Sequence, residues 1–136
     1  MIKVAMVDDH KMFREGVKSM VEKNENYKMI WMASNGEEAF LHVKTQMPDV
    51  LLMDISIGFE SGITLTKQLV DLYPDINIIA LSMHHEKPYI INIYDKGAKG
   101  YILKDAGSDE VLEAIEAVAN GKTYFSKIAS DILGKT

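Results

Sequence analysis

Short apolar runs alternate with longer amphipathic ones five times along this chain. The short runs are Lys3–Val7, Lys28–Ala33, Val50–Met53, Asn77–Leu81 and Gly100–Leu103. They are rich in β-branched and other apolar residues, which predicts strands buried on both faces, as in a parallel sheet. The longer runs predict helices over Lys11–Glu22, Glu37–Thr45, Gly62–Leu72, Lys87–Lys96 and Asp109–Asn120. Phe13, Val17, Met20 and Val21 form one stripe of the first helix. In the last, Val111, Leu112, Ile115, Val118 and Ala119 recur at helical spacing. Ser108 is placed to cap that helix, Asp109 and Glu110 suit its amino-terminal dipole, and Gly121 suits its end. Pro48 and Pro74 each stand between a helix and a strand, where a helix stop is expected.

Strand–helix alternation with short connections predicts an α/β fold, a flavodoxin-like (βα)5 doubly wound parallel sheet in three layers. The expected strand order is 2-1-3-4-5, with the switch point between the first and third strands. Residues 1–126 are expected to form this domain. Residues 127–136 would be one more helix or the start of a linker.

Composition narrows the function. A chain of 136 residues fits one domain with a real core. Its 47% hydrophobic and 26% charged residues are an ordinary globular balance. The net charge of −5 argues against nucleic-acid binding by this piece alone. With no cysteine, disulfides, thiolate metal sites and cysteine nucleophiles are excluded. No apolar stretch reaches the roughly 18 residues of a spanning helix. Met1-Ile2-Lys3 leads straight into a strand without a signal peptide, so a cytoplasmic location is expected.

The chemistry-bearing residues stand at strand ends. Asp8 and Asp9 follow the first strand, Asp54 the third, Ser82 the fourth and Lys104 the fifth. Ligands of open parallel sheets bind outside these carboxyl ends, so all five should meet in one pocket. Taken alone, Asp8-Asp9 could simply cap the helix beginning at Lys11. A third carboxylate aimed at the same spot raises the electrostatic cost unless a cation is present. Mg²⁺ wants such oxygen ligands together with phosphate oxygens, and the Ser56 backbone carbonyl would add one. Asp54 is the candidate nucleophile, because carboxylates form aspartyl-phosphate intermediates. Lys104 would pair with a phosphate oxygen as a point charge, against the plainer reading of a solvated lysine. Ser82 would donate its hydroxyl to phosphate or cap a helix. Tyr101 is either ordinary packing or a rotamer switch sensing Ser82. His84 and His85 read as loop histidines, with His84 near the pocket mouth. His10 reads as a helix-start surface residue, and His42 as a helix-face residue.

Val7-Asp8-Asp9-His10 and Phe13-Arg14-Glu15-Gly16 resemble the opening of the receiver domain of bacterial two-component response regulators, most closely the NarL/LuxR-type class. Leu52-Met53-Asp54-Ile55-Ser56, Ala80-Leu81-Ser82-Met83-His84, Gly97-Ala98-Lys99-Gly100-Tyr101 and Leu103-Lys104-Asp105-Ala106 continue the resemblance in order. Gly121-Lys122-Thr123-Tyr124-Phe125-Ser126 resembles the closing segment. The resemblance implies that Asp54 accepts the phosphoryl group and that Asp8, Asp9, Asp54 and the Ser56 carbonyl bind Mg²⁺. It implies that Lys104 and Ser82 contact the phosphoryl group, that Tyr101 is the switch aromatic, and that Ser56 and His84 tune phosphoryl lifetime. It further implies a sensor histidine kinase as donor, homodimerisation on activation, and DNA binding only through a carboxy-terminal helix-turn-helix domain that this chain lacks. Such a module is not an enzyme beyond Mg²⁺-dependent self-phosphorylation and slow autodephosphorylation. One departure is the loop Ser56-Ile57-Gly58-Phe59-Glu60-Ser61-Gly62, where the family usually reads Ser-Met-Pro and then Asp-Gly. Glycine in place of proline removes a φ restraint.

Rivals have weaker support. Aspartyl-phosphate phosphatases resemble Asp-x-Asp at the nucleophile, whereas the second residue on here is Ser56. A flavin-binding domain of this fold would want a Ser/Thr/Gly-rich phosphate loop after the first strand, where Asp8-Asp9 would repel phosphate. The alternative kept is a phosphorylation-independent, receiver-like protein-interaction module.

Overall fold

The computed structural model describes residues 1–57, 60–83 and 86–134. The five expected strands are present as β1 (Ile2–Val7), β2 (Tyr27–Ala33), β3 (Val50–Asp54), β6 (Ile78–Ser82) and β7 (Gly100–Leu103). The short β4 (Ser56–Ile57) and β5 (Glu60–Ser61) pair antiparallel in a separate two-stranded sheet. The main sheet runs β2-β1-β3-β6-β7-β8, where β8 (Tyr124–Phe125) lies parallel to β7 at the edge. Its first five members follow the order expected from alternation. The sixth is short and only partly buried, which left it without an apolar run long enough to read.

Around the sheet lie α1 (Lys11–Glu22), α2 (Gly36–Thr45), α3 (Gly62–Leu72), α4 (Lys87–Asp95), α5 (Ser108–Ala119) and α6 (Lys127–Leu133). On one side, Val17 and Val21 of α1 and Val111, Ala114, Ile115 and Val118 of α5 pack on Val4, Met6, Leu52 and Leu81. On the other, Ala39 and Val43 of α2 and Leu65 and Leu69 of α3 cover Ala5, Val7, Leu51 and Met53. The central strands are therefore enclosed on both faces, and that enclosure explains their unbroken apolar runs. A third cluster joins Ile90 and Ile93 of α4, Tyr101 of β7 and Ala129 of α6. No helix among the described residues is long and apolar enough to cross a membrane.

The helix ends show which local chemistry acts. Asn35 caps α2 by accepting from the Glu38 N–H at 2.9 Å, while Glu38 Oε1 accepts back from the Ser34 N–H at 2.7 Å. Ser61 caps α3, and Ser126 caps α6. Ser108 does not cap α5. The extended Gly107 is the N-cap, with no side-chain cap bond, and Ser108 is the first helical residue. Gly121 closes α5 with φ +85°, donating to the Val118 carbonyl at 3.1 Å.

Strand register sets the neighbours of the candidate pocket. Val7 of β1 lies opposite Met53, Asp54 opposite Leu81, and Ser82 opposite Leu103. The residues that end β3 and β6, and those that follow β1 and β7, thus emerge on one rim. Ile93→Ala would leave a cavity beneath α4 and is expected to cost about 2–5 kcal/mol. Met12→Ala, at an 86% exposed position, is expected to change stability by less than about 0.5 kcal/mol. Urea unfolding of both variants checks the contrast.

Candidate functional site

The β1–α1 turn brings the first carboxylates to the rim. Asp8 is fully buried, and its N–H donates to the Ala33 carbonyl at 3.0 Å, extending the β1–β2 ladder by one residue. Its Oδ1 accepts from the His10 N–H at 2.8 Å, so the carboxylate does tie down the helix start. That reading and the site reading hold together. Arg14, one turn into α1, donates from Nη1 to the Asp8 carbonyl at 2.7 Å and fixes the turn from the other side. Asp9 is exposed at the mouth.

Asp54 ends β3 at 1% exposure, and Ser82 ends β6 at 1%. Lys104 follows β7, with its N–H donating to the Ser82 carbonyl at 2.8 Å. Its side chain reaches inward until Nζ lies 2.8 Å from Asp8 Oδ2 and 3.2 Å from Asp54 Oδ2. The Phe13 ring lies 4.7 Å beneath the same ammonium. The plain reading of a solvated lysine is wrong, since the side chain is only 9% exposed. Burial pulls the Lys104 pKa down, but the bonds and charges of Asp8 and Asp54 push it up further, so the net shift is upward.

A glycine lets this arrangement form. A Cβ on Gly62 would stand 2.1 Å from the Asp54 carbonyl oxygen and 2.5 Å from the Ile55 Cα. The start of α3 is therefore seated against the backbone that presents Asp54, and the Gly62 N–H donates to the Ile55 carbonyl at 3.2 Å.

Tyr101 is fully buried in the third cluster, and its side chain hydrogen-bonds that of Ser82. Burial raises the Tyr101 pKa, the bond to Ser82 opposes that rise, and the charge of Glu86 adds to it. The ring thus already lies inward beneath α4 and α6, packed and hydrogen-bonded at once.

One ligand atom each from Asp8, Asp9, His10 and Asp54 lies within 4.8 Å of the other three. Three carboxylates face one ammonium, which leaves surplus negative charge. Asp8 Oδ2 is buried and, though in ionic contact with Lys104, accepts no aligned hydrogen bond among the described residues. Converging carboxylate oxygens are the donor chemistry a hard divalent cation takes.

The pattern of the response regulator receiver domain matches residues 4–116. The chain belongs to that family. The receiver domain is 36% identical over 123 residues to the transcriptional regulatory protein DegU of Brevibacillus brevis, covering 90% of this chain and 52% of that protein. It is 35% identical over 124 residues to the oxygen regulatory protein NreC of Staphylococcus carnosus, covering 90% and 57%. The chain therefore spans about half the length of the curated relatives it matches. A LuxR-family two-component response regulator from Aurantimonas sp. SI85-9A1 superposes with a TM-score of 0.92 at 27% identity, covering 98% of this chain and 96% of that one. The signal receiver domain of the response regulator NarL from Mycobacterium tuberculosis gives 0.84 at 26% identity, covering 89% and 98%. These likenesses put the receiver domain in the NarL/LuxR class.

Of the residues singled out in the sequence, the receiver domain gathers Asp8, Asp54, Ser82 and Lys104 at the rim, with Asp9 at the mouth. Ser56 opens β4 two residues past Asp54. His84 and the loop residues Gly58 and Phe59 lie outside the described residues. His10 is a helix-start residue, as expected, yet its ring turns into the cluster, with Nδ1 3.0 Å from Asp8 Oδ1 and 3.2 Å from Asp9 Oδ1. His42 stacks on Trp31 at 5.0 Å. Arg14, Phe13 and Gly62 were not read as site residues. Their sequence signal was the turn spacing: Phe13 and Arg14 fall on the first turn of α1, and Gly62 opens α3.

Gly62→Ala would force backbone apart at the Asp54 carbonyl. It is expected to destabilise the domain by about 1–3 kcal/mol, read by denaturant unfolding. The raised Lys104 pKa fixes a sign in pH. Its contribution to stability is fully present below the ordinary lysine value and is lost as pH rises through the higher folded value. The stability gap between the native domain and Lys104→Met should therefore be constant near neutrality and narrow only above about pH 10.4. Unfolding measured across alkaline pH checks it.

Proposed function

We propose that this domain is the phosphorylation-activated receiver of a response regulator and that Asp54 accepts a phosphoryl group from a sensor histidine kinase. The single observation that carries the reading is a buried Asp54 carboxylate 3.2 Å from a buried ammonium, beside a cation-ready acid pair. In the transfer, an Asp54 carboxylate oxygen forms a bond to phosphorus as the phosphorus–nitrogen bond of the donor histidine breaks. Asp8, Asp9, Asp54 and the Ser56 carbonyl would hold Mg²⁺, which neutralises charge on the phosphoryl oxygens when bound. Lys104 sits where its ammonium can leave Asp8 for a phosphoryl oxygen. Ser82 offers its hydroxyl to a second oxygen, and Ser56 and His84 tune how long the phosphoryl group persists.

The signal then follows from competition for Ser82. Its side chain is bonded to Tyr101, which is buried under α4 and α6. A phosphoryl group that draws the hydroxyl away competes with the hydrogen bond between Ser82 and the buried Tyr101 phenol. The α4 and α6 packing above the phenol responds in turn. The added phosphate shifts this equilibrium only by its differential affinity for the two arrangements. The domain proper spans residues 1–126, and α6 within 127–136 packs back on it through the buried Ala129 on the way to an effector. In the full-length protein the output is homodimerisation and DNA binding through a helix-turn-helix transcription-regulating domain, in the cytoplasm. Beyond self-phosphorylation and slow autodephosphorylation, the domain turns over no substrate.

Incubation with Mg²⁺ and acetyl phosphate, followed by intact-mass analysis, is expected to add one phosphoryl group. Asp54→Asn should abolish the added mass. Persistence of the adduct in that variant would remove Asp54 as the acceptor. Absence of any adduct in the native domain would favour the phosphorylation-independent interaction module.

A further inference from the structure

We propose that Phe13 is a positioning residue for phosphoryl transfer, its ring face being the surface on which the Lys104 ammonium stays while it passes from Asp8 to a phosphoryl oxygen. This rests on the reading of Asp54 as the phosphoryl acceptor and adds a residue to that reaction. Phe13 stands on the first turn of α1 and packs against the core cluster that includes Val17 and Val21. That packing holds the ring in place, yet the residue is only partly buried. Its uncovered part lines two neighbouring cavities, and Met12 and Lys104 line both of them with it. The Lys104 ammonium lies 4.7 Å from the ring centroid, inside the roughly 6 Å within which the face of an aromatic ring attracts a cation.

The contacts of this ammonium differ in kind. Those with Asp8 Oδ2 at 2.8 Å and Asp54 Oδ2 at 3.2 Å depend on N–H groups aimed at particular oxygens. Attraction to the ring depends chiefly on staying over its face, so it survives a sideways shift that breaks a hydrogen bond. Lysine suits such a move, being a compact charge with three rotatable donors on a flexible stem. The stem starts from a fixed point, because the Lys104 N–H donates to the Ser82 carbonyl at 2.8 Å. The Lys104 side chain is only 9% exposed, so the attraction acts where little water weakens it. An aliphatic side chain at the same place on the α1 stripe would fill the core and leave the ammonium with the oxygens alone. That difference separates positioning from packing.

The test compares the native domain with Phe13→Leu, which stays apolar and loses the ring, and with Phe13→Tyr, which keeps the ring. Each is labelled with acetyl phosphate and Mg²⁺ and weighed over time. The Lys104 Hε protons are followed by NMR before and after addition of Mg²⁺ and beryllofluoride. Phe13→Leu is expected to label about three- to tenfold more slowly, and Phe13→Tyr at the native rate. In the native domain and in Phe13→Tyr the Hε signals should lie upfield, shielded by the ring face, and stay upfield in the beryllofluoride complex. In Phe13→Leu they should lie at ordinary lysine positions in both states. Urea unfolding shows whether Phe13→Leu is folded during labelling; should it unfold, the native shielding and its persistence decide. An unchanged rate in Phe13→Leu, an equal loss in Phe13→Tyr, or shielding that disappears when beryllofluoride binds would each overturn the proposal. If all three proteins label at one rate, Asp54 stands as the acceptor and only the role of Phe13 falls. If the native domain takes no label, the acceptor reading falls and this inference with it.

Discussion

The ammonium of Lys104, held between the buried carboxylates of Asp8 and Asp54, is the contact on which the rest of the domain turns. Two carboxyl groups at 0% and 1% exposure, side by side in an apolar rim, are costly to bury as charges, and the ammonium between them offsets that cost. Their partner comes from the far end of the chain, so the contact forms only once β1, β3 and β7 share a sheet. Breaking such a buried arrangement by removing one member strands the others, at a typical cost of about 3–5 kcal/mol. Fold and site are therefore tied by one electrostatic condition.

That condition also makes the site responsive. One ammonium offsets one charge, and three carboxylates converge, so the cluster is under-neutralised as it stands. On the proposed function, an added cation would relieve it, and a phosphoryl group on Asp54 would offer Lys104 a stronger partner than Asp8. Ser82 shares its backbone carbonyl with the Lys104 N–H and its side chain with Tyr101. A change at the acid cluster is thus two contacts away from the packing of α4 and α6. No long mechanical chain is required.

Much of this was legible in the residues. The five main strands and their order followed from apolar runs, because enclosure on both faces removes the need for alternation. The placement of Asp54, Ser82 and Lys104 on one rim was legible because each stands at a strand end. What escaped was decided by geometry that spacing does not encode. β8 is too short to carry a periodic signal, and the N-cap position given to Ser108 went to Gly107 because the helix begins one residue earlier. His10 resembles any surface helix start until its Nδ1 is seen beside the carboxylates of Asp8 and Asp9. Gly62 looks like an ordinary helix-start glycine, yet any Cβ there would collide with the Asp54 carbonyl, a clash that only the fold creates. Tyr101 stood open between packing and switching, and it is fully packed while bonded to Ser82.

The most direct test is a high-resolution crystal structure of the domain soaked with Mg²⁺ and beryllofluoride. The account predicts a metal at about 2.0–2.1 Å from oxygens of Asp8 or Asp9 and of Asp54. It also predicts Lys104 Nζ moved off Asp8 and onto a fluorine of the Asp54 adduct. An acid cluster that binds neither, with Lys104 still spanning Asp8 and Asp54, would contradict it.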